Sequence, residues 1–282
     1  MRSLITATIV AALLAASVGV VAAQSDGTAR PSSGCDEPLV APGDYEAVND
    51  FDDADQTYFV IVPEHYAEII PAPLELSLGS GGGNADLNYT AKRDFFDDEA
   101  MLVAIVATET RAQQDPATLL ALVDELAADY CIDLRRVHVS GSSSSAFAAA
   151  KLACEGSDRI ASLKDGMGSF VVSACEPERR FPVLAITGNP DRSSVTMSVE
   201  RWAETNGCDP EPLVEELGSG IFRKAYQGCE ADVLFYDIEG LGHAAVAHEC
   251  VGPYAEMYCK EYTELDEIDE TQRFFAEHPL PE

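Results

Sequence analysis

Lysine is scarce in this chain: 5 of 282 residues, within 18 bases set against 49 acids. The net charge of −31 leaves no basic surface for a phosphate backbone or an anionic lipid face, so neither nucleic acid nor a membrane surface is an expected partner. Such a surface is either simply well solvated or suited to high salt, a reading that activity falling steadily toward molar salt would exclude. No two cysteines form Cys-x-x-Cys, so zinc-ribbon and thioredoxin-type chemistry have no footing, and no metal is expected. The one tryptophan, Trp202, falls on an expected helix and is read as packed rather than stacked on a substrate. Beyond the first two dozen residues no run is apolar enough to span a bilayer.

Those first residues, "MRSLITATIVAALLAASVGVVAAQ", give one Arg, an apolar stretch and the small residues Val21-Ala22-Ala23. That order predicts a secretory signal peptide over 1–23, with cleavage after Ala23 and no membrane association afterwards. A retained anchor is the alternative, but Thr6, Thr8, Ser17 and Gly19 dilute the run. All eight cysteines lie beyond the cleavage point, and their even number predicts four disulfides in an oxidising compartment. Proximity along the chain suggests Cys154–Cys175, Cys208–Cys229 and Cys250–Cys259, leaving Cys35–Cys131. The expected location is extracellular.

Residues 24–34, "QSDGTARPSSG", are small and polar and read as a disordered leader. From 35 to 282 the chain has no linker and no internal repeat, a length suited to one domain. "TYFVIVP" (Thr57–Pro63), "LELSL" (Leu74–Leu78), "MLVAIVA" (Met101–Ala107), "VHVSG" (Val137–Gly141), "FPVLAIT" (Phe181–Thr187) and "DVLFYDI" (Asp232–Ile238) read as strands buried on both faces. Between them, "DPATLLALVDELAADY" (Asp115–Tyr130) predicts a helix capped by Asp115, with Pro116 at its first position and a stripe of Leu119, Leu120, Val123 and Leu126. Ser145–Glu155, Met197–Gly207 and Ile268–His278 are further expected helices. The alternation predicts an α/β fold, a mostly parallel sheet with helices on both faces. Ligands of such sheets bind beyond the carboxyl ends of the strands, so chemistry is sought in the loops that follow them.

"VHVSGSSSSAFAAA" contains such a loop. A strand ends, Gly141 turns, and an alanine-rich helix starts within a few residues, the context in which G-x-S-x-G holds a serine on a sharp turn. Aligned on Gly141, Ser143 is the nucleophile and Ser145 replaces the closing glycine; the alternative is that the serines only cap the helix. A hydroxyl needs a base and an orienting acid. His243, in the glycine-rich loop "DIEGLGHAAVAH", is the expected base, with His248 as the fallback, while His138 inside a strand reads as a core histidine. Asp191, after "FPVLAIT", is the expected acid, and Asp165 in "SLKDGMG" its rival. The order Ser143, Asp191, His243 is the serine–acid–histidine order of a serine hydrolase with this strand–turn–helix motif. The oxyanion is expected at the backbone N–H of Ser144 and of Ser80 or Gly81 in "LGSGGGN". That glycine loop has Asn84 where a dinucleotide loop wants its third glycine, and no helix follows, which disfavours a nucleotide cofactor.

The segment "YCIDLRRVHVSGSSSSAFAAAKLACEGSDRIAS", followed by "PVLAITGNPD", "NGCDP", "YQGC", "YDIEGLGH" and "RFFAEHPLP", resembles the secreted polyhydroxybutyrate depolymerase and feruloyl esterase group of α/β-hydrolases. The resemblance implies an α/β-hydrolase fold and a serine esterase with Ser143, Asp191 and His243 as nucleophile, acid and base. It implies a small or polymeric ester substrate (feruloyl, acetyl or hydroxyalkanoate) and no cofactor. The chain departs from that group at Leu78-Gly79-Ser80, which lacks a histidine, at Thr187, at Ser145-Ala146 and at Lys164-Asp165. A non-catalytic extracellular binding protein on the same scaffold is the alternative those departures leave open.

Overall fold

The computed structural model describes residues 28–51, 54–79, 101–168, 170, 175–188, 192–251 and 255–282. The segment expected as a signal peptide, together with Ser80, Gly81 and Asp191, lies outside the described residues.

Apolar, β-branched runs dictate the centre of the molecule. Among the described residues the strands are β1 (Gly43–Phe51), β2 (Ala54–Val62), β3 (Ala72–Leu78), β4 (Leu102–Val106), β5 (Ile132–Ser142), β6 (Leu163–Gly166), β7 (Val183–Gly188), β8 (Leu213–Gly218), β9 (Ile221–Ala225) and β10 (Val233–Ile238). They form one sheet in the order β1-β2-β4-β3-β5-β6-β7-β10-β9-β8. From β4 to β10 every neighbouring pair is parallel, and antiparallel pairs close both edges. A small second sheet pairs β11 (Ala245–Ala247) with β12 (Cys259–Glu261).

Period-two alternation splits the parallel strands between two cores. Leu74, Leu76, Val137, Val139, Leu163, Val183 and Ala185 face one side. Helices α1 (Pro116–Asp129), α2 (Ala146–Glu155) and α3 (Arg192–Thr205) cover it. Ile105, Leu184, Ile186 and Leu234 face the other, where Phe274 and Phe275 of α5 (Glu267–Glu277) close the layer. The short helix α4 (Ala255–Tyr258) precedes β12. Helix α1 starts as its sequence predicts, with Asp115 Oδ2 accepting the Ala117 N–H at 3.2 Å. Its buried stripe is Leu119, Leu122, Val123 and Leu126; the expected Leu120 is only partly buried, and Leu122 joins the stripe instead. Trp202 is buried and donates its Nε1–H to Phe170 O at 3.2 Å, a packing role.

The expected disordered leader is corrected over residues 28–34, which run along the start of β5. Ser32 Oγ donates to Tyr130 O at 2.7 Å and accepts from Ile132 N at 2.9 Å, while Leu134 N donates to Arg30 O at 2.8 Å. A polar segment orders here because β5 offers unpaired backbone groups and because the next residue, Cys35, is bonded to Cys131. Cys154–Cys175, Cys208–Cys229 and Cys250–Cys259 are the other disulfides, and no free cysteine is left among the described residues.

His138 lies wholly inside the second core. Its Nδ1 is 2.8 Å from Ser162 Oγ, and its ring stacks on Phe275 with centroids 4.4 Å apart. Burial first, then the nearby His278 and Arg136, pull its pKa down to about 3. The folded state therefore holds it neutral, whereas an unfolded imidazole takes up its proton below roughly 6.5. Stability consequently falls as pH drops from about 6.5 toward 3, by roughly 1.4 kcal/mol per unit at most. Urea unfolding at pH 6.5 and pH 5 checks this: wild type is expected to lose about 2 kcal/mol more than His138→Gln over that interval, and equal losses would refute the assignment.

Candidate active site

The candidate residues that the structure describes, Ser143 and His243, lie at the carboxyl ends of the parallel strands. Strand β5 ends at Ser142, and the chain reverses within one 3₁₀ turn (Ser143–Ser145) into α2. Ser143 sits at φ +53°, a left-handed conformation that costs a non-glycine residue of order 1 kcal/mol or more and is held only where its surroundings enforce it. Two glycines make that enforcement possible. A Cβ on Gly141 would come 2.7 Å from Ala149 Cβ and 2.9 Å from Ser145 O, so α2 could not approach the strand end this closely. A Cβ on Gly168, from the loop after β6, would come 2.5 Å from Ser143 O.

Ser145 occupies the position where a glycine was the norm for the motif, and its backbone is at φ −96°, which any residue adopts. Its hydroxyl is also employed. Oγ lies 2.9 Å from Leu78 O and 3.0 Å from Ser142 O, either of which can accept its proton, and it accepts the Ser142 N–H at 3.2 Å. The turn is thereby tied to the end of β3. No motif spacing announces this role; the only hint was the serine itself in place of glycine.

His243 arrives from the opposite side. After β10 the chain turns through Gly240 and Gly242 at φ +71° and +75°, placing buried Leu241 between them. Gly188, the last residue of β7, admits that loop: a Cβ there would meet Leu241 Cβ at 2.4 Å. The result is that Nε2 of His243 lies 2.9 Å from Oγ of Ser143, within proton-transfer reach. Ser143 is half-buried, while Ser144 and His243 are exposed, so the pair opens to solvent.

The remaining histidines are committed elsewhere. His65 faces Glu68 at 3.7 Å, and His278 faces Asp232 at 3.0 Å and Phe274 O at 2.6 Å. His248, the fallback base, is 4.0 Å from Asp266, and its backbone N–H donates to that same carboxylate at 2.8 Å. Asp165, the rival acid, is fully buried. Its Oδ1 accepts its neighbour Gly166 N–H at 2.7 Å, and Oδ2 has no hydrogen bond. Burial pushes this carboxyl well above the ordinary range, against the Gly166 bond and the charge of Lys164. Asp191 falls between the end of β7 and the first residue of α3, as Ser80 and Gly81 fall after the end of β3; all three are outside the described residues.

Among the described residues no three or more His, Cys, Asp or Glu side chains are grouped to hold a metal ion, and no helix is long and apolar enough to cross a membrane. An open cavity of about 1160 Å³, lined by Arg135, Pro182, Asp232 and His278, lies at the opposite ends of the strands, by the starts of β5, β7 and β10. It has no part in the Ser143 geometry.

No protein-family model matches the chain, and no curated protein matches it in sequence. Solved structures do match in fold. An acetyl xylan esterase from Aspergillus awamori superposes with a TM-score of 0.59 at 12% identity, covering 83% of this chain and 98% of that one. A thermostable esterase gives a TM-score of 0.56 at 13% identity over 84% of this chain; the chain spans 63% of that longer protein. An esterase of Pyrobaculum calidifontis gives 0.51 at 12% identity, covering 74% and 79%. The parallel strands, the helices on both faces and the serine turn after the central strand are the α/β-hydrolase fold, and this chain has it.

Proposed function

We propose that this protein is a secreted serine hydrolase of carboxylic esters. The observation that carries the reading is the strained Ser143 turn, with the His243 imidazole 2.9 Å from its hydroxyl. In this reading Ser143 Oγ attacks the ester carbonyl while His243 takes its proton. Asp191, next in the loop after β7, holds the imidazole in the required orientation. The Ser144 N–H, with that of Ser80 or Gly81, carries the oxyanion charge. The tetrahedral intermediate expels the alcohol, which receives the proton from His243, and leaves an acyl-serine. Water, deprotonated by His243, then releases the acid and restores Ser143.

The substrate class follows from the family resemblance of the sequence: feruloyl, acetyl or hydroxyalkanoate esters, small or polymeric. Export is supported by the signal-like first 23 residues and by four disulfides, which persist in oxidising compartments.

A fluorophosphonate probe is expected to label the purified, oxidised protein. Ser143→Ala abolishes labelling and lowers kcat/KM for p-nitrophenyl acetate on the order of 10⁴-fold or more; a folded wild type that resists the probe would refute the reading, and label lost instead in Ser142→Ala or Ser144→Ala would move the nucleophile. His243→Ala is expected to lower kcat/KM for p-nitrophenyl acetate on the order of 10⁴-fold or more; a folded variant that keeps the wild-type rate would remove His243 from the role of base.

A further inference from the structure

The proposed catalytic pair depends on where the His243 loop comes to rest, and that loop is fastened from beneath by a largely buried ion pair. Lys164 points from β6 into the second core, where it is 8% exposed. Its Nζ hydrogen-bonds Oε1 of Glu267, the first residue of α5. The other oxygen of Glu267 accepts the backbone N–H of Val246 at 3.2 Å, three residues beyond His243. Next to it Asp266 caps α5, Oδ1 accepting from Ile268 N at 2.9 Å and Asp269 N at 3.2 Å, while Oδ2 takes the His248 N–H at 2.8 Å. Two successive carboxylates at one helix start therefore hold the backbone of Val246, in β11, and of His248, just after it.

We infer that Glu267 is a positioning residue for His243, acting through the Val246 N–H, and that Lys164 is the counter-ion that allows its carboxylate to sit there largely out of water. The inference rests on the ester-hydrolase reading above. Chemistry gives the pair a division of labour. A buried carboxylate without a cation is unfavourable and would turn toward water, withdrawing its oxygen from Val246. Lys164 in turn has other acidic neighbours, Asp165 and Glu75. Burial acts to lower its pKa, but Glu267 first, and then these two carboxyls, outweigh burial and keep the ammonium charged. The loop needs only an acceptor at Glu267; it does not need a charge.

That distinction sets the test, which reads kcat and KM with p-nitrophenyl acetate and the rate of fluorophosphonate labelling. Lys164→Met alone is expected to lower kcat and the labelling rate by up to about 100-fold, the scale of a misplaced base, with KM little changed. Adding Glu267→Gln removes the unpaired charge yet keeps an oxygen for Val246, and is expected to restore kcat to within about threefold. Adding Glu267→Leu also removes the charge but offers no acceptor, so kcat stays low although the thermal midpoint matches that of the Gln variant. A Leu variant that turns over as fast as the Gln variant, or a loss that appears in KM instead of kcat, overturns the inference while the labelled wild type keeps the hydrolase reading. An unlabelled wild type overturns both.

Discussion

The arrangement at the carboxyl ends of the strands depends on how closely α2 packs over the end of β5. Gly141 permits that approach, since any Cβ would strike Ala149 and the Ser145 carbonyl. Because the helix begins so near, the chain has one turn in which to reverse, and Ser143 is driven to φ +53°. Its hydroxyl is then presented above the sheet edge while its neighbours fold back. A looser junction would relax Ser143 into ordinary backbone space and take Oγ away from His243. The strain is offset locally: Ser145 Oγ bonds the turn to Leu78 O, and Gly168 lets the loop after β6 lie against Ser143 O. Three parallel strands thus converge on one residue.

Much of this was legible in the residues, for reasons that differ from element to element. Strands β2, β3, β4, β5, β7 and β10 are nearly continuous in apolar character, and runs of that length have few other homes. The edges were not legible. "GDYEAVNDF" in β1 and "LVEELG" in β8 mix charge with apolar residues, because an edge strand faces water and takes its structure from its partner's backbone. β6 was hidden too, since Lys164 and Asp165 interrupt its pattern. Ser143 and His243 could be found because a sharp strand-to-helix turn and a glycine-flanked histidine are local signatures. The Ser145 bond to β3 and the Glu267 bond to Val246 span 67 and 21 residues, and no short pattern encodes a partner at that distance.

The buried polar groups of the second core fit the same picture. Glu75 and Ser77 of β3, Ser140 of β5 and Lys164 of β6 lie where the outer strands carry Ile, Leu and Val. Ser140 Oγ donates to Glu75 Oε1 and lies 3.3 Å from Ser77 Oγ, so neighbouring strands satisfy one another. Burying such groups is unfavourable unless each finds a partner, and replacing them by apolar residues commonly costs nothing. They are retained directly under the serine turn and the start of α5. There directional bonds fix how β3, β5 and α5 sit relative to one another, which apolar contacts do less sharply.

The His243 loop shows what that precision serves. In the proposed reading His243 is a base, which must be placed to a fraction of an ångström while it faces solvent. The protein meets both demands by fixing the residues around an exposed histidine. Leu241 is seated against Gly188, Lys260 Nζ reaches Gly240 O, Val246 and His248 are bonded to Glu267 and Asp266, and Cys250–Cys259 closes the far side. Each anchored position, from Gly240 to Cys250, lies within seven residues of His243. The backbone is held on both sides of His243, and the exposed imidazole faces Ser143.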